Sequence, residues 1–168
     1  MIGDSEIEVI DNFLSPLDFR KITTKVLKYD FPWYYFNHVN YTNDSVGDYN
    51  FQFVHPVFHD CQSINSGVEC IKPVLDRLNV TALIRVKFNL NPRTSELIEH
   101  GYHVDNLHPA SKSAILYLNS NDGYTIFDGG KKVDSVENRL VKFDATIPHS
   151  GTSCTNEKRR IVLNINYF

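Results

Sequence analysis

The stretch IEHGYHVDNLHP, residues 98–109, carries a histidine and an aspartate two positions apart, His103 and Asp105. In an extended chain, residues i and i+2 point to the same side. An imidazole and a carboxylate can therefore meet at one point there without distorting the backbone. A second histidine, His149 in DATIPHSGT, follows 44 positions after Asp105. Two histidines and one carboxylate on one face of a metal leave the opposite face open, which suits non-haem Fe(II) that must take further ligands. The same donor set also holds Zn(II) and activates water for hydrolysis. His38, His55, His59, His100 and His108 have no partner at comparable spacing and read as structural or surface residues, with His100 and His108 close enough to stand behind the ligands.

A basic cluster, Lys158–Arg159–Arg160, opens the last apolar run, RRIVLNINYF. In a strand, Arg160, Val162, Asn164 and Asn166 share one face, and Arg159, Ile161, Leu163, Ile165 and Tyr167 the other. The apolar set belongs against a core. The polar set belongs on a wet cavity or an anionic ligand, where a guanidinium grips a carboxylate through two charge-assisted bonds. Arg159 shares a face with Ile161 and Leu163, so Arg160 is the better candidate.

Elements that would position these residues follow from pattern. IEVIDNF alternates apolar and acidic residues and reads as a strand. SPLDFRKITTKVL has Ser15 as N-cap, Pro16 at the first helical position and Asp18 in the first turn, with Leu17, Ile22, Val26 and Leu27 near one face of a short helix. FPWYYF, residues 31–36, reads as extended, and residues 37–50, rich in Asn, Asp and Thr, as a loop. Residues 62–78 show helical spacing that Pro73 is expected to kink or divide. From residue 80 onward VTALIRVKFNLNP, SAILYLNS, GYTIFDG, RLVKFDA and RRIVLNINYF are short β-rich runs parted by Gly, Asn, Asp and Pro. Helices followed by strands predict an α+β, mainly β architecture with helices packed on a sandwich or barrel. Residues 1–79 would be its helical and aromatic support and residues 80–168 its β core, within one domain.

Composition narrows the function classes. The 168 residues are 42% apolar and 22% charged with net charge −3, a globular composition with no electrostatic footprint for nucleic acid. Cys61, Cys70 and Cys154 are odd in number and widely spaced, which suggests neither a zinc knuckle nor a disulfide framework. The acidic start MIGDSEIEVIDNF lacks the pattern of a signal peptide, and no run approaches a membrane helix. A reducing, cytoplasmic-type compartment is the expectation.

In their order and spacing, HVD, AILYLNSNDGYTIF, VKFDATIPHSG and KRRIVLNINYF resemble the 2-oxoglutarate- and Fe(II)-dependent dioxygenases, in particular their prolyl-4-hydroxylase-like branch in its small bacterial and phage form. The resemblance covers roughly residues 80–168. It implies a double-stranded β-helix (jelly roll) with N-terminal helices on one sheet, Fe(II), 2-oxoglutarate and O₂ as cofactors, and His103, Asp105 and His149 as iron ligands. It further implies that Arg160 binds the distal carboxylate of 2-oxoglutarate, that Tyr117 hydrogen-bonds the same carboxylate, and that Asn164, with Asn89 or Asn91, lies near the co-substrate. Hydroxylation of a peptidyl substrate, prolyl among them, or of a small molecule would follow. One departure is Val162, where the family often carries a hydroxyl residue; losing that hydrogen bond weakens co-substrate binding by roughly 1 kcal/mol. The competing readings are a non-catalytic jelly-roll binding module and a zinc-dependent hydrolase.

Overall fold

The computed structural model describes residues 7–39, 50–60, 62–64 and 67–168. The apolar runs of the second half become strands β5 (Leu83–Pro92), β6 (Lys112–Tyr117), β7 (Tyr124–Phe127), β8 (Lys132–Asp134), β9 (Leu140–Asp144), β10 (His149–Gly151) and β11 (Arg159–Tyr167). The first half supplies β1 (Ile7–Ile10), β2 (Tyr34–Phe36), β3 (Gln52–His59), β4 (Gln62–Ser63) and helices α1 (Pro16–Val26) and α2 (Gly67–Leu78). One sheet runs β1-β9-β6-β11-β5-β3-β2, with β4 paired to β3, and a smaller one runs β10-β7-β8. Single bridges Glu99–Thr152 and His103–His149 add the 99–103 segment to the free side of β10.

Alternation along β11 separates two cores. Ile161, Leu163, Ile165 and Tyr167 face the helices, packed with Ile22 and Val26 of α1 and Ile71 and Val74 of α2. Val162 faces the other sheet, in a second core with Ile115, Tyr117, Val141, Phe127 and Val133. The helices thus cover the outer face of the large sheet, and the small sheet covers the inner face. The result is a double-stranded β-helix with helices on one sheet, the expected architecture.

Ser15 caps α1 as expected, its hydroxyl accepting from Asp18 N at 3.2 Å. Of the four apolar residues assigned to one face of this helix, only Ile22 and Val26 are buried. Leu17 and Leu27 are exposed, and Phe19 completes the packed stripe. Pro73 lies inside α2 without dividing it, because fully buried Ile71 and Val74 on either side anchor both turns in the core. The helix starts at Gly67, later than its periodicity suggested, and Gln62–Ser63 pair with β3 instead.

The first half is more than support. Its strand β1 closes one edge of the large sheet against β9, and β2, β3 and β4 build the other beyond β5. Strand β3 escaped the pattern because Pro56 and two histidines break the alternation in QFVHPVFH. The three-residue strands β8 and β10 are too short to show a period. Most of the loop expected over residues 37–50 lies outside the described residues, as does Cys61. Cys70 and Cys154 are free thiols. No helix among the described residues is long and apolar enough to cross a membrane.

Candidate metal centre

His103 and His149 meet through the backbone. Each donates its N–H to the other's carbonyl at 2.9 Å, an antiparallel pair that sends both side chains to the same side. Their ring centroids are 4.5 Å apart. Two residues beyond His103, Asp105 brings its carboxylate between them, with Oδ1 3.9 Å from His103 Nε2 and Oδ2 3.6 Å from His149 Nε2. Metal-ligand atoms of all three lie within 4.8 Å of one another. Ligands bound at about 2.1 Å to one ion stand about 3 Å apart at right angles, so a small contraction seats a metal.

The protonation states suit a cation. His149 donates Nδ1–H to Ile147 O at 3.0 Å, which turns Nε2 toward Asp105. Burial, followed by the neighbouring His149, lowers the His103 pKa to about 4, so its imidazole is neutral at neutral pH. Burial opposes ionisation of Asp105, but His149, Arg85, Ser113 and His103 outweigh it and hold the carboxyl below its ordinary range.

Asp105 is also fixed in place. Ser113 Oγ donates to Oδ2 at 2.7 Å and Arg85 Nη2 pairs with Oδ1 at 3.0 Å. Asn166 closes the ring, donating to Ser113 Oγ at 2.9 Å and accepting from Arg85 Nε at 3.0 Å. These three residues stand in one row across β5, β11 and β6, where Arg85 is opposite Asn166 and Asn166 opposite Ser113. Sequence reading placed Asn166 on the inner face but missed Arg85 and Ser113, whose only signal is the two-residue period of their strands.

A cavity of about 460 Å³ runs from this cluster along the inner faces of β5 and β11 to Arg160. Arg160 is 3% exposed. Its Nε bonds Ser135 Oγ at 2.8 Å, and Nη2 reaches Tyr124 O and Thr125 Oγ1, each at 3.3 Å. All are neutral acceptors, and among the described residues no carboxylate pairs with it. Gly123 makes room for its stem, since a Cβ there would stand 2.8 Å from Arg160 Cδ and 2.5 Å from Ser153 O. Arg159 faces α1 instead, near Thr23 and Val26.

The other expected residues divide. Asn164, Asn89 and Asn91 line the cavity. Tyr117 lies beneath the Arg160 guanidinium, 5.5 Å from ring centroid to Cζ, and donates its hydroxyl to Thr125 Oγ1 at 2.8 Å. Thr125, not Tyr117, reaches the cavity wall. His100, read as structural or surface and close enough to stand behind the ligands, is buried on that wall with both ring nitrogens unpartnered. Among the described residues, the buried side-chain nitrogens and oxygens without a partner belong to Gln52, Asn89, Asn91, His100, His103 and Asn164. Every one of these six lines this cavity. Unpaired buried polar atoms are rare in folded chains, so such a concentration marks a cavity whose lining calls for polar partners, water or a ligand.

No protein-family model matches the chain, and no curated protein matches it in sequence. Solved structures do match. A 2OG-Fe(II) oxygenase-family oxidoreductase from Burkholderia pseudomallei aligns over 98% of this chain and 86% of its own, at 12% identity and TM-score 0.72. A prolyl hydroxylase from Trichoplax adhaerens, in complex with a hypoxia inducible factor peptide fragment, aligns over 98% and 84%, at 17% identity and TM-score 0.67. The non-heme alpha ketoglutarate dependent epimerase SnoN from nogalamycin biosynthesis aligns over 97% and 77%, at 10% identity and TM-score 0.70. At these identities the likeness establishes the fold, which this chain shares with all three.

Proposed function

We propose that this chain is an Fe(II)- and 2-oxoglutarate-dependent oxygenase in which His103, Asp105 and His149 hold the iron and Arg160 binds the distal carboxylate of 2-oxoglutarate. The observation that carries the reading is Arg160: a buried guanidinium with only neutral partners, at one end of a cavity whose other end is a His–Asp–His cluster. A buried charge left without a counter-charge is strongly unfavourable. A ligand spanning the two ends needs a carboxylate for Arg160 and chelating oxygens for a metal, the constitution of a 2-oxo diacid. A zinc hydrolase has no use for such an arginine. The fold's occurrence in a 2OG-Fe(II) oxygenase, a prolyl hydroxylase and an alpha ketoglutarate dependent epimerase supports the same reading.

When bound, iron and 2-oxoglutarate supply the oxidation of a substrate C–H bond by O₂, with succinate and CO₂ as products. The chain's own residues do the positioning. His149 keeps one tautomer through Ile147 O, His103 stays neutral, and Asp105 stays ionised under Ser113 and Arg85. Arg160 holds the distal carboxylate, with Thr125, Asn91 and His100 lining the cavity beside it. Tyr117 supports the guanidinium from below and fixes Thr125. Val162 and Ile115 give the wall between the two ends an apolar surface. With Asp105 filling the carboxylate position, none is left for a halide, so hydroxylation is the reaction proposed rather than halogenation. Its substrate is a peptide or a small molecule.

The test is the visible spectrum of the protein with Fe(II) and 2-oxoglutarate in the absence of oxygen. A chelated 2-oxo acid is expected to give a charge-transfer band that neither component shows alone. His103→Ala should abolish it and Arg160→Ala should demand far more co-substrate. Metal binding without any band at millimolar co-substrate would remove the basis of the proposal.

A further inference from the structure

Lys87 is the cavity residue that the oxygenase reading leaves without a task. It sits on β5 opposite Asn164 of β11, with its side chain on the cavity wall. Among the described residues no hydrogen bond or ion pair engages its ammonium. It is one inward-facing position from Arg85, and so beside the metal ligands. The Arg160 end is opposite Asn91, four positions further along β5 and roughly 13 Å away.

Charge makes the vacancy of role specific. The described cavity lining holds three cations, Arg85, Lys87 and Arg160, and one carboxylate, Asp105. A ferrous dication and a 2-oxoglutarate dianion cancel each other, so adding both leaves this excess unchanged. Arg160 takes the distal carboxylate and Arg85 is already paired with Asp105. Among the described residues, Lys87 has no anion hydrogen-bonded to it, its nearest carboxylate being the Asp105 that Arg85 already engages. Burial, and then the neighbouring Arg85, lower its pKa to about 8, against the pull of Asp105. Beside it, Asn89 and Asn164 leave amide oxygens without a donor, which suits a polar molecule and not an apolar one.

We infer that the substrate oxidised at this centre carries an anionic group, a carboxylate or a phosphate, which Lys87 binds beside the metal ligands. The inference rests on the oxygenase reading and deepens it: substrates whose reacting carbon lies near a carboxylate or phosphate are favoured over uncharged peptide backbone or apolar rings.

The experiment uses Mn(II) in place of Fe(II), so that no oxidation occurs and the metal broadens the resonances of nearby nuclei. With the protein saturated in Mn(II) and 2-oxoglutarate, inorganic phosphate and carboxyl-labelled acetate are titrated separately, and the phosphorus and carbon linewidths are followed. At least one probe should broaden saturably. Its apparent affinity should fall roughly tenfold or more in Lys87→Met, the loss of one charge-assisted bond, and survive in Lys87→Arg. The affinity for 2-oxoglutarate itself should be nearly unchanged in both variants. Saturation by phosphate alone assigns a phosphorylated substrate, and saturation by acetate assigns a carboxylate. The inference is overturned if neither probe saturates, if Lys87→Met retains the effect, or if Lys87→Met weakens 2-oxoglutarate instead, which would make the lysine part of the co-substrate site. If Mn(II) or 2-oxoglutarate does not bind at all, the oxygenase reading itself fails and takes the inference with it. If both bind and the probes do not, only the substrate inference falls.

Discussion

On the proposed reading Asp105 does two things at once: it offers a charge to a metal and anchors a ring of hydrogen bonds through Arg85, Asn166 and Ser113. Removing a residue that orients a ligand commonly weakens metal binding 10–100-fold. Ser113→Ala is therefore expected to lower Mn(II) or Fe(II) affinity by roughly tenfold or more while leaving the fold intact, a result that metal titration with circular dichroism would check. On the proposed reading, Arg160→Ala removes two charge-assisted bonds to the 2-oxoglutarate carboxylate. It should weaken 2-oxoglutarate by about 3 kcal/mol, roughly a hundredfold, in a calorimetric titration. His100 gives a pH prediction. Burial, and then Arg160, lower its pKa from 6.5 to about 4. The unfolded chain thus binds a proton below about pH 6.5 that the native protein refuses until about pH 4. Its contribution to stability is full above the upper value and falls across that window by something on the order of 3 kcal/mol. Melting temperatures of the metal-free protein should drop between pH 6.5 and 4, and His100→Leu should flatten part of that slope. The lowered carboxylates Asp11, Asp18 and Asp122 act below it.

At the scale of elements, the site depends on connections as much as on strands. Asn138, just before β9, has φ of 59° and clamps the β1–α1 junction. Its amide gives and accepts bonds with Leu14 O and Leu14 N, both at 2.9 Å, and its carbonyl accepts from Phe13 N at 2.8 Å. Asn138→Ala strands two buried backbone groups and places alanine in the left-handed region, so a loss of about 3 kcal/mol is expected in denaturant unfolding. Gly123 serves Arg160 in the same way. A methyl group there meets the backbone of Ser153 and the arginine stem, so Gly123→Ala should displace the guanidinium and impair 2-oxoglutarate binding more than an exposed substitution would. The reciprocal His103–His149 backbone pair is the third such device, because with the neighbouring Glu99–Thr152 bridge it brings the two histidines of the candidate site face to face.

Across the whole molecule, a metal and an acid that bind only the folded chain must stabilise it. At a hundredfold excess over its dissociation constant each ligand adds about 2.7 kcal/mol, or roughly 5–10 °C in melting temperature for a chain of this size. Differential scanning calorimetry with Mn(II), and then with 2-oxoglutarate added, should show two successive increments. The second should vanish in Arg160→Ala. The division of strands between sheets also explains why the N-terminal half cannot be treated as a separate layer: β1 forms one edge of the sheet whose inner face carries the candidate site, and β3 with β2 and β4 builds the other side.

The meeting of His103, Asp105 and His149 and the inward face of Arg160 were legible from residue type and spacing, and so were α1, the strands from β5 onward that are long enough to show a period, and the two faces of β11. These are local properties: side-chain chemistry, an N-cap, and the alternation of a pleated strand. The ring behind Asp105, the places of His100 and Lys87 on the cavity wall, that of Tyr117 beneath Arg160, and strand β3 were not legible. Each depends on register between strands far apart in sequence, such as Arg85 opposite Asn166 and Asn166 opposite Ser113. Sequence alone determined which chemistry was available and on which strand faces it lay. Only the tertiary structure decided which of those faces meet, because register and sheet order come from the burial of two cores at once, and no single strand carries that information.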